Sequence, residues 1–323
     1  MLTILSTGVG GASGMYTLKI LRETTDFRLI ACDASPYSSG ILFGDSFHKI
    51  PFAKYKDQFM DCLESVVVKE GVDYIIPNVD EELALFAEHN RIKNAKVIIS
   101  QLESVKNSLD KYKTYQILHE YVPCPKTFLI RDFSYQAGEW IIKPRFGRGS
   151  KDIYRISSKE TFDSLVSYLL SNGHDNESLI IQEMLPGKEY TVDVVCNNSG
   201  EALVLIPRER LLTSGGISAI GKTVKNHTLQ EQAKEVLKRI PFLGPINIQF
   251  KDDHTGNLKL MEINPRCSGG MSISFKSGLN IPLLAIKMVE NEQISEQELQ
   301  WEETLVFRYY EDRKFNVENN FQS

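Results

Sequence analysis

Five consecutive residues, Glu262-Ile263-Asn264-Pro265-Arg266, put an anion, an amide oxygen and a fixed cation side by side. The run before them, Asn257–Met261, reads as a strand, and on a strand side chains two apart share a face. Glu262, Asn264 and, if the chain stays extended, Arg266 then line up, with Pro265 stiffening the strand end. A carboxylate next to an amide oxygen suits a hard cation such as Mg²⁺, and the guanidinium suits phosphate oxygens. Taken alone, these five residues are read equally well as a strand end with a solvated ion pair. A second strand, Gly244–Phe250, is joined to the first through Asp252-Asp253-His254-Thr255-Gly256. Turn residues between two apolar-alternating runs predict a hairpin. Its pairing brings Gln249 to Glu262 as a third oxygen.

Upstream, Trp140-Ile141-Ile142-Lys143-Pro144 reads as a buried strand ending in a lysine. Arg145-Phe146-Gly147-Arg148-Gly149-Ser150-Lys151 follows, with two glycines that let backbone N–H groups approach phosphate oxygens closely. A basic surface turn, with Lys143 snorkelling to solvent, is the alternative. The loop lacks the Gly-x-x-x-x-Gly-Lys-Ser/Thr spacing of a Walker P-loop.

The order Asn-x-Gln-Phe (Asn247–Phe250) and then Glu-x-Asn-Pro-Arg (Glu262–Arg266) resembles the metal-binding strands of the ATP-grasp superfamily, closest to the carbamoyl-phosphate synthetase large-subunit branch. The specific motifs run from Asp110 to Gly270, and only their joint order carries the assignment. The resemblance implies that Gln249, Glu262 and Asn264 hold two Mg²⁺ (or Mn²⁺) ions. It implies that Gly147, Arg148, Gly149 and Ser150 form a flexible lid over ATP. It implies an adenine and ribose hinge at Gln182, Glu183, Met184 and Leu185 with Glu189. Lys111 and Lys143 become nucleotide contacts, and Lys143, Arg266 and Arg208 the catalytic cations. An exposed helix-start lysine is the competing reading of Lys111. Many ATP-grasp ligases carry an acid where Gln249 stands, which weakens the metal charge balance. The synthetase branch has the same residue type there.

The implied fold class is α/β and α+β. A doubly wound parallel α/β domain over residues 1–109 precedes a two-part ATP-grasp fold. The linker helix and small lid cover residues 110–185, and an antiparallel-sheet unit with the metal and substrate site covers residues 186–323. Alternating patterns from Leu2 to Leu109 predict a parallel sheet with helices on both faces. Lid elements are expected at 126–129, 139–143, 153–155, 159–171 and 179–183. Leu229, Ala233, Val236, Leu237 and Ile240 form one helical stripe, and Pro282–Glu290 reads as another helix. Leu211–Gly221 reads as a mobile loop near the substrate, and the polar tail after Phe315 is expected to fray.

Gly8-Val9-Gly10-Gly11-Ala12-Ser13-Gly14, between a short apolar strand and a helix, imitates a dinucleotide fingerprint, with Asp33 ending the next strand. Its third glycine position holds Ser13, so an NAD-linked oxidoreductase is the weaker reading. Asp80, in Pro77-Asn78-Val79-Asp80-Glu81-Glu82, is expected to cap a helix.

The chain has 323 residues, 42% of them hydrophobic and 24% charged, with a net charge of −5. That size permits two or three compact units, and the negative balance argues against nucleic-acid or membrane partners. Five cysteines without C-x-x-C pairs read as free thiols, with Cys267 an inert wall residue. No apolar run approaches a membrane span and the start lacks a basic signal region, so a cytoplasmic setting is expected. The function that follows from the resemblance is an ADP-forming ligase. It joins a small-molecule carboxylate to an amine or ammonia through an acyl phosphate, as a stand-alone chain that leaves room for a homodimer. Arg208 or Arg210 would clamp a substrate carboxylate, or else pair with nearby acids. An ATP-binding partner subunit without its own chemistry is the other class of reading.

Overall fold

Alternating apolar residues build the first of three sheets in the computed structural model, which describes residues 1–147 and 152–315. Its elements are β1 (Thr3–Thr7), α1 (Ala12–Thr24), β2 (Arg28–Asp33), β3 (Ser46–Lys49), α2 (Lys56–Glu70), β4 (Tyr74–Ile76), α3 (Asp80–His89), β5 (Arg91–Ile92) and β6 (Ala95–Val97). The strand order is β3-β2-β1-β4-β6-β5. All neighbours are parallel except β5 and β6, a departure from the all-parallel expectation. The cause is local: Asn90 and Lys93 take positive φ and fold the two short strands back on each other. One face buries Leu5, Ile30 and Ile75 against Phe59, Leu63 and Val67 of α2 and Leu83 and Phe86 of α3.

Helices α4 (Leu102–Leu109) and α5 (Lys111–Leu118) lead to the second sheet. It consists of β7 (Thr127–Leu129), β8 (Trp140–Pro144), β9 (Tyr154–Ile156), α6 (Lys159–Ser171) and β10 (Leu179–Glu183), in the antiparallel order β7-β10-β8-β9. Trp140, Ile142, Ile181, Phe133 and Leu169 form its own small core.

The third sheet is antiparallel, in the order β15-β14-β11-β12-β13-β16. Its elements are β11 (Glu189–Cys196), β12 (Ala202–Ser214), β13 (Ile217–Thr223), α7 (His227–Arg239), β14 (Gly244–Asp252), β15 (Leu258–Asn264), α8 (Met271–Lys276), α9 (Ile281–Val289) and β16 (Leu305–Phe307). The stripe Leu229, Ala233, Val236 and Leu237 of α7 covers one face at Val192, Val194, Ile246 and Ile248. The other face, through Val195, Val204 and Ile206, shares a core with α1, α9 and the Ile4, Leu29 and Ile76 side of the first sheet.

Residues 211–221 are not a loop. β12 continues to Ser214 and returns as β13, because Gly215 and Gly216 both take positive φ (55° and 76°). That two-residue turn matches strand twist and keeps the ladder going. Arg148, Gly149, Ser150 and Lys151 of the glycine-rich loop, and the tail from residue 316, lie outside the described residues.

Candidate nucleotide and metal site

The third sheet changes character along the face that meets the first sheet. Below it is apolar; above, two adjacent rows of cross-strand partners are largely polar. One row runs Thr223, Arg208, Thr191, Gln249, Glu262. The next runs Ile206, Asp193, Asn247, Asn264. Directly opposed residues share a face, so the hairpin β14–β15 sets Gln249 beside Glu262 and Asn247 beside Asn264. The ladder slips between Gln249 and Phe250, a bulge after which pairing resumes at Phe250 and Leu260 with the register shifted by one.

The predicted oxygens are together, and each is already engaged. Asn264 Nδ2 donates to Glu262 Oε1 at 3.1 Å, and Arg266 Nη2 donates to Asn264 Oδ1 at 3.2 Å. Gln249 Oε1 accepts from Arg210 Nη1 at 2.9 Å. Asn247, which opens the Asn-x-Gln-Phe motif, donates to the backbone carbonyls of Asn264 (3.4 Å) and Arg266 (3.1 Å) and so fixes the strand end. Among the described residues, no three His, Cys, Asp or Glu side chains group as a metal nest. The set on offer is one carboxylate and two amide oxygens, a hard-oxygen donor set.

Two predicted roles change. Asp80 is the first residue of α3, and its side chain caps nothing there. Its carboxylate instead pairs with Arg266 Nε, across 186 residues of sequence. Arg208 is 1% exposed, so it presents no open clamp to a substrate. Its Nε and Nη2 lie 2.8 and 3.0 Å from the two Asp193 oxygens, and Nη2 also donates to Ser268 Oγ. Gly270 closes over it: a Cβ there would stand 2.7 Å from Nη1. Arg208 therefore supports the turn after Arg266 from beneath. Arg210 is taken by Glu189 and Gln249, which draws Glu189 to the third sheet's polar face beside the predicted metal oxygens.

The second sheet supplies Lys143, which is 5% exposed. Burial pushes its ammonium down to about 8, Glu262 opposes that shift, and Lys111 adds to it. Lys143 thus lies in electrostatic range of both Glu262 and Lys111. Asp110 organises the root of the glycine-rich loop. It caps α5 by accepting from the Tyr112 and Lys113 N–H groups and grips Arg145 through Nε (2.8 Å) and Nη2 (2.6 Å). Lys111 Nζ donates to the Gly147 carbonyl at 2.6 Å, where φ is +106°. Neither Asp110 nor Arg145 carried a local signal for this pairing.

At the expected hinge, Glu183 Oε1 and Oε2 each lie 2.9 Å from Lys259 Nζ. The Glu183 and Met184 N–H groups donate to the Lys126 and Glu139 carbonyls. Gln182 is 3% exposed, and its Nε2 donates to Thr127.

The atoms left over fit a bound nucleotide. Gln182 Oε1 is buried without a hydrogen-bond partner, and the buried Lys143 ammonium has Glu262 as the opposite charge that acts on it. Buried polar groups ordinarily find partners. Phosphate oxygens would satisfy the ammonium, and an amino donor would satisfy Gln182. Glu262 and the amide oxygens of Asn264 and Gln249, each with a second lone pair beyond the one its arginine uses, would hold a divalent cation.

The glycine loop after β1 does other work. Asp33 Oδ2 accepts from Gly10 N–H at 2.7 Å and Oδ1 from Ser35 N–H at 2.8 Å, so this carboxylate braces the loop itself. Cys267 is 1% exposed, and burial pushes its thiol up to about 12, as expected of an inert wall residue. No helix among the described residues is long and apolar enough to cross a membrane.

Comparison with known proteins agrees with this layout. Residues 175–313 match the family described as ATP-grasp in the biosynthetic pathway with Ter operon, and residues 3–100 match the PylC-like N-terminal domain. The carbamoyl phosphate synthase large chain of Methanothermobacter thermautotrophicus is 23% identical, over 71% of this chain and 24% of its own length. The chain spans about a quarter of the length of such relatives. Among solved structures, the Campylobacter jejuni biotin carboxylase complex with β,γ-ATP aligns at a TM-score of 0.73 with 17% identity, covering 93% of this chain and 73% of that one. The L-amino acid ligase of Bacillus licheniformis aligns at 0.71 with 13% identity, covering 93% and 78%. The chain thus carries a PylC-like N-terminal domain over residues 3–100 and an ATP-grasp domain over residues 175–313.

Proposed function

We propose that this protein is an ADP-forming ligase that joins a small-molecule carboxylate to an amine or ammonia. One observation supports the reading: Glu262 pairs across the hairpin with Gln249, bonds Asn264, which bonds Arg266, and acts electrostatically on the buried Lys143 of the second sheet. Phosphoryl transfer needs charge neutralised around the moving group and little covalent help from the protein. Lys143 and Arg266 hold the phosphate oxygens. Bound Mg²⁺ or Mn²⁺ ions supply further neutralisation of the phosphates. The substrate carboxylate attacks the γ-phosphorus, ADP leaves, and an amine then displaces phosphate from the acyl phosphate.

The proposed division is 1–109, 110–185 and 186–323, supported by three sheets that fall within those bounds. The hinge Gln182–Leu185 takes the adenine, and Leu185 N–H is the donor there not already taken among the described residues. A cytoplasmic setting follows from the small-molecule chemistry. The test is ADP release from Mg-ATP with pools of amino acids, small carboxylates and amines. Release that needs both a carboxylate and an amine, and is lost in Glu262→Ala, supports the reading. ADP release indifferent to every pool contradicts it.

A further inference from the structure

We propose that Asp80 is a positioning residue for Arg266, so that the first sheet, from outside the ATP-grasp domain, aims the site's guanidinium. The inference rests on the ligase reading above.

Arg266 is held by two different sheets. Its backbone belongs to the third: Asn247 Nδ2 donates to the Arg266 carbonyl at 3.1 Å. Its side chain is fixed at every nitrogen. Nη1 donates to the Cys267 carbonyl at 3.1 Å, Nη2 to Asn264 Oδ1 at 3.2 Å, and Nε to Asp80. The Arg266 and Asp80 side chains are 12% and 10% exposed, so solvent screens the pair little.

Asp80 reaches Arg266 from a particular place. It follows β4 through Pro77-Asn78-Val79, at the carboxyl end of the parallel sheet. The order β2-β1-β4 places it where consecutive connections leave in opposite directions, the crevice in which open α/β sheets hold ligands. The helix dipole of α3 favours an acid in its first turn, but that does not fix where the carboxylate points, and it points across to Arg266.

The pairing has a consequence for the metal oxygens. Glu262 is the competing anion for Arg266, and the two interact electrostatically. If Arg266 turned fully onto Glu262, the single carboxylate of the cation site would be blocked. Asp80 draws the guanidinium away and leaves it beside Asn264. Asp80, Arg266, Asn264 and Glu262 thus form one hydrogen-bonded chain from the first sheet to the cation site.

The test compares the full-length protein with Asp80→Asn, Asp80→Glu and Arg266→Lys. Titrations with Mg-ADP and Mg-ATP are run beside the Mg²⁺ dependence of ADP release. Asp80→Asn is expected to hold Mg-ADP within about twofold, to weaken Mg-ATP roughly tenfold, equivalent to about 1.4 kcal/mol, and to raise the half-saturating Mg²⁺. Asp80→Glu, which keeps the charge, recovers part of both effects. A purely adhesive Asp80 would lower thermal stability yet leave the ATP-to-ADP ratio and the Mg²⁺ dependence at wild-type values, and that result overturns the proposal. If the wild type binds neither nucleotide, the ligase reading fails and the inference falls with it. Nucleotide binding by the wild type with no change in the ratio in Asp80→Asn sinks the inference alone.

Discussion

The Ser13 hydroxyl lies 2.7 Å from the Cys267 carbonyl, joining residues 254 apart in the chain. It lies 2.5 Å from Asn78 Oδ1 as well, so its single proton is shared between two acceptors. Asn78 is held in turn by Ser6 Oγ and the Ile76 carbonyl. The residue that spoils the dinucleotide fingerprint is therefore the one that ties the first sheet to the turn after Arg266. Ser13→Ala is expected to lower stability by about 0.5–1.5 kcal/mol, the net worth of a hydrogen bond, because Arg266 Nη1 still serves the Cys267 carbonyl and Thr17 Oγ1 still serves Asn78 Oδ1. Urea denaturation measures this. A change under a few tenths of a kcal/mol would show that the hydroxyl is dispensable.

Arg208 and Asp193 are each 1% exposed and paired, with Ser274 Oγ donating to Asp193 Oδ2 at 2.6 Å. Removing one partner strands a buried charge. Arg208→Met is expected to destabilise by roughly 3–5 kcal/mol, while adding Asp193→Leu recovers much of the loss. Chemical denaturation of the single and double variants decides it. A double variant as unstable as the sum of its parts would contradict the paired-charge account.

Lys143 links stability to pH with a definite sign. Its folded value of about 8 lies below the ordinary 10.5, so between those values the unfolded chain binds more protons. Stability should therefore rise as pH climbs from about 8 toward 10.5, and below 8 the charged, buried ammonium costs its full amount, about 3 kcal/mol. Lys143→Met should be more stable than wild type at pH 7 and lose that advantage by pH 10, while ATP turnover disappears. Thermal melts of both proteins across this range supply the comparison. A variant less stable than wild type at pH 7 would mean that Lys143 is already well paired.

The thiols should divide by burial. Cys32, Cys196 and Cys267 are buried, and burial pushes Cys196 and Cys267 up to about 12. The thiolate is the reacting species. In the native protein at pH 8, iodoacetamide should label Cys62 first and leave these three unmodified until the chain unfolds. Rapid native labelling of Cys267, read by peptide mass, would show that the turn after Arg266 opens.

The strands carrying the site were legible because their periods are local. Gln249 and Glu262 could be paired from a turn and two alternating runs, and the α7 stripe from 3.6-residue spacing. The long-range polar partners were not. Nothing near Asp80 signals Arg266, nothing near Asp193 signals Arg208, and an acid at a helix start looks the same whether it caps or reaches across a cleft. The Gly215-Gly216 turn was missed because its flanks, unlike those of the metal hairpin, do not alternate cleanly. Helix α8, at six residues, is too short to show a period.

The central claim is that a substrate carboxylate oxygen ends in phosphate. The most direct measurement supplies Mg-ATP, an amine pool and carboxylates labelled with ¹⁸O, and weighs the phosphate released. The acyl-phosphate route transfers one labelled oxygen to each phosphate, with the label absent in Glu262→Ala, which should release almost no ADP. Abundant ADP with wholly unlabelled phosphate would mean that water, not a carboxylate, takes the phosphoryl group, and the ligase account would be wrong.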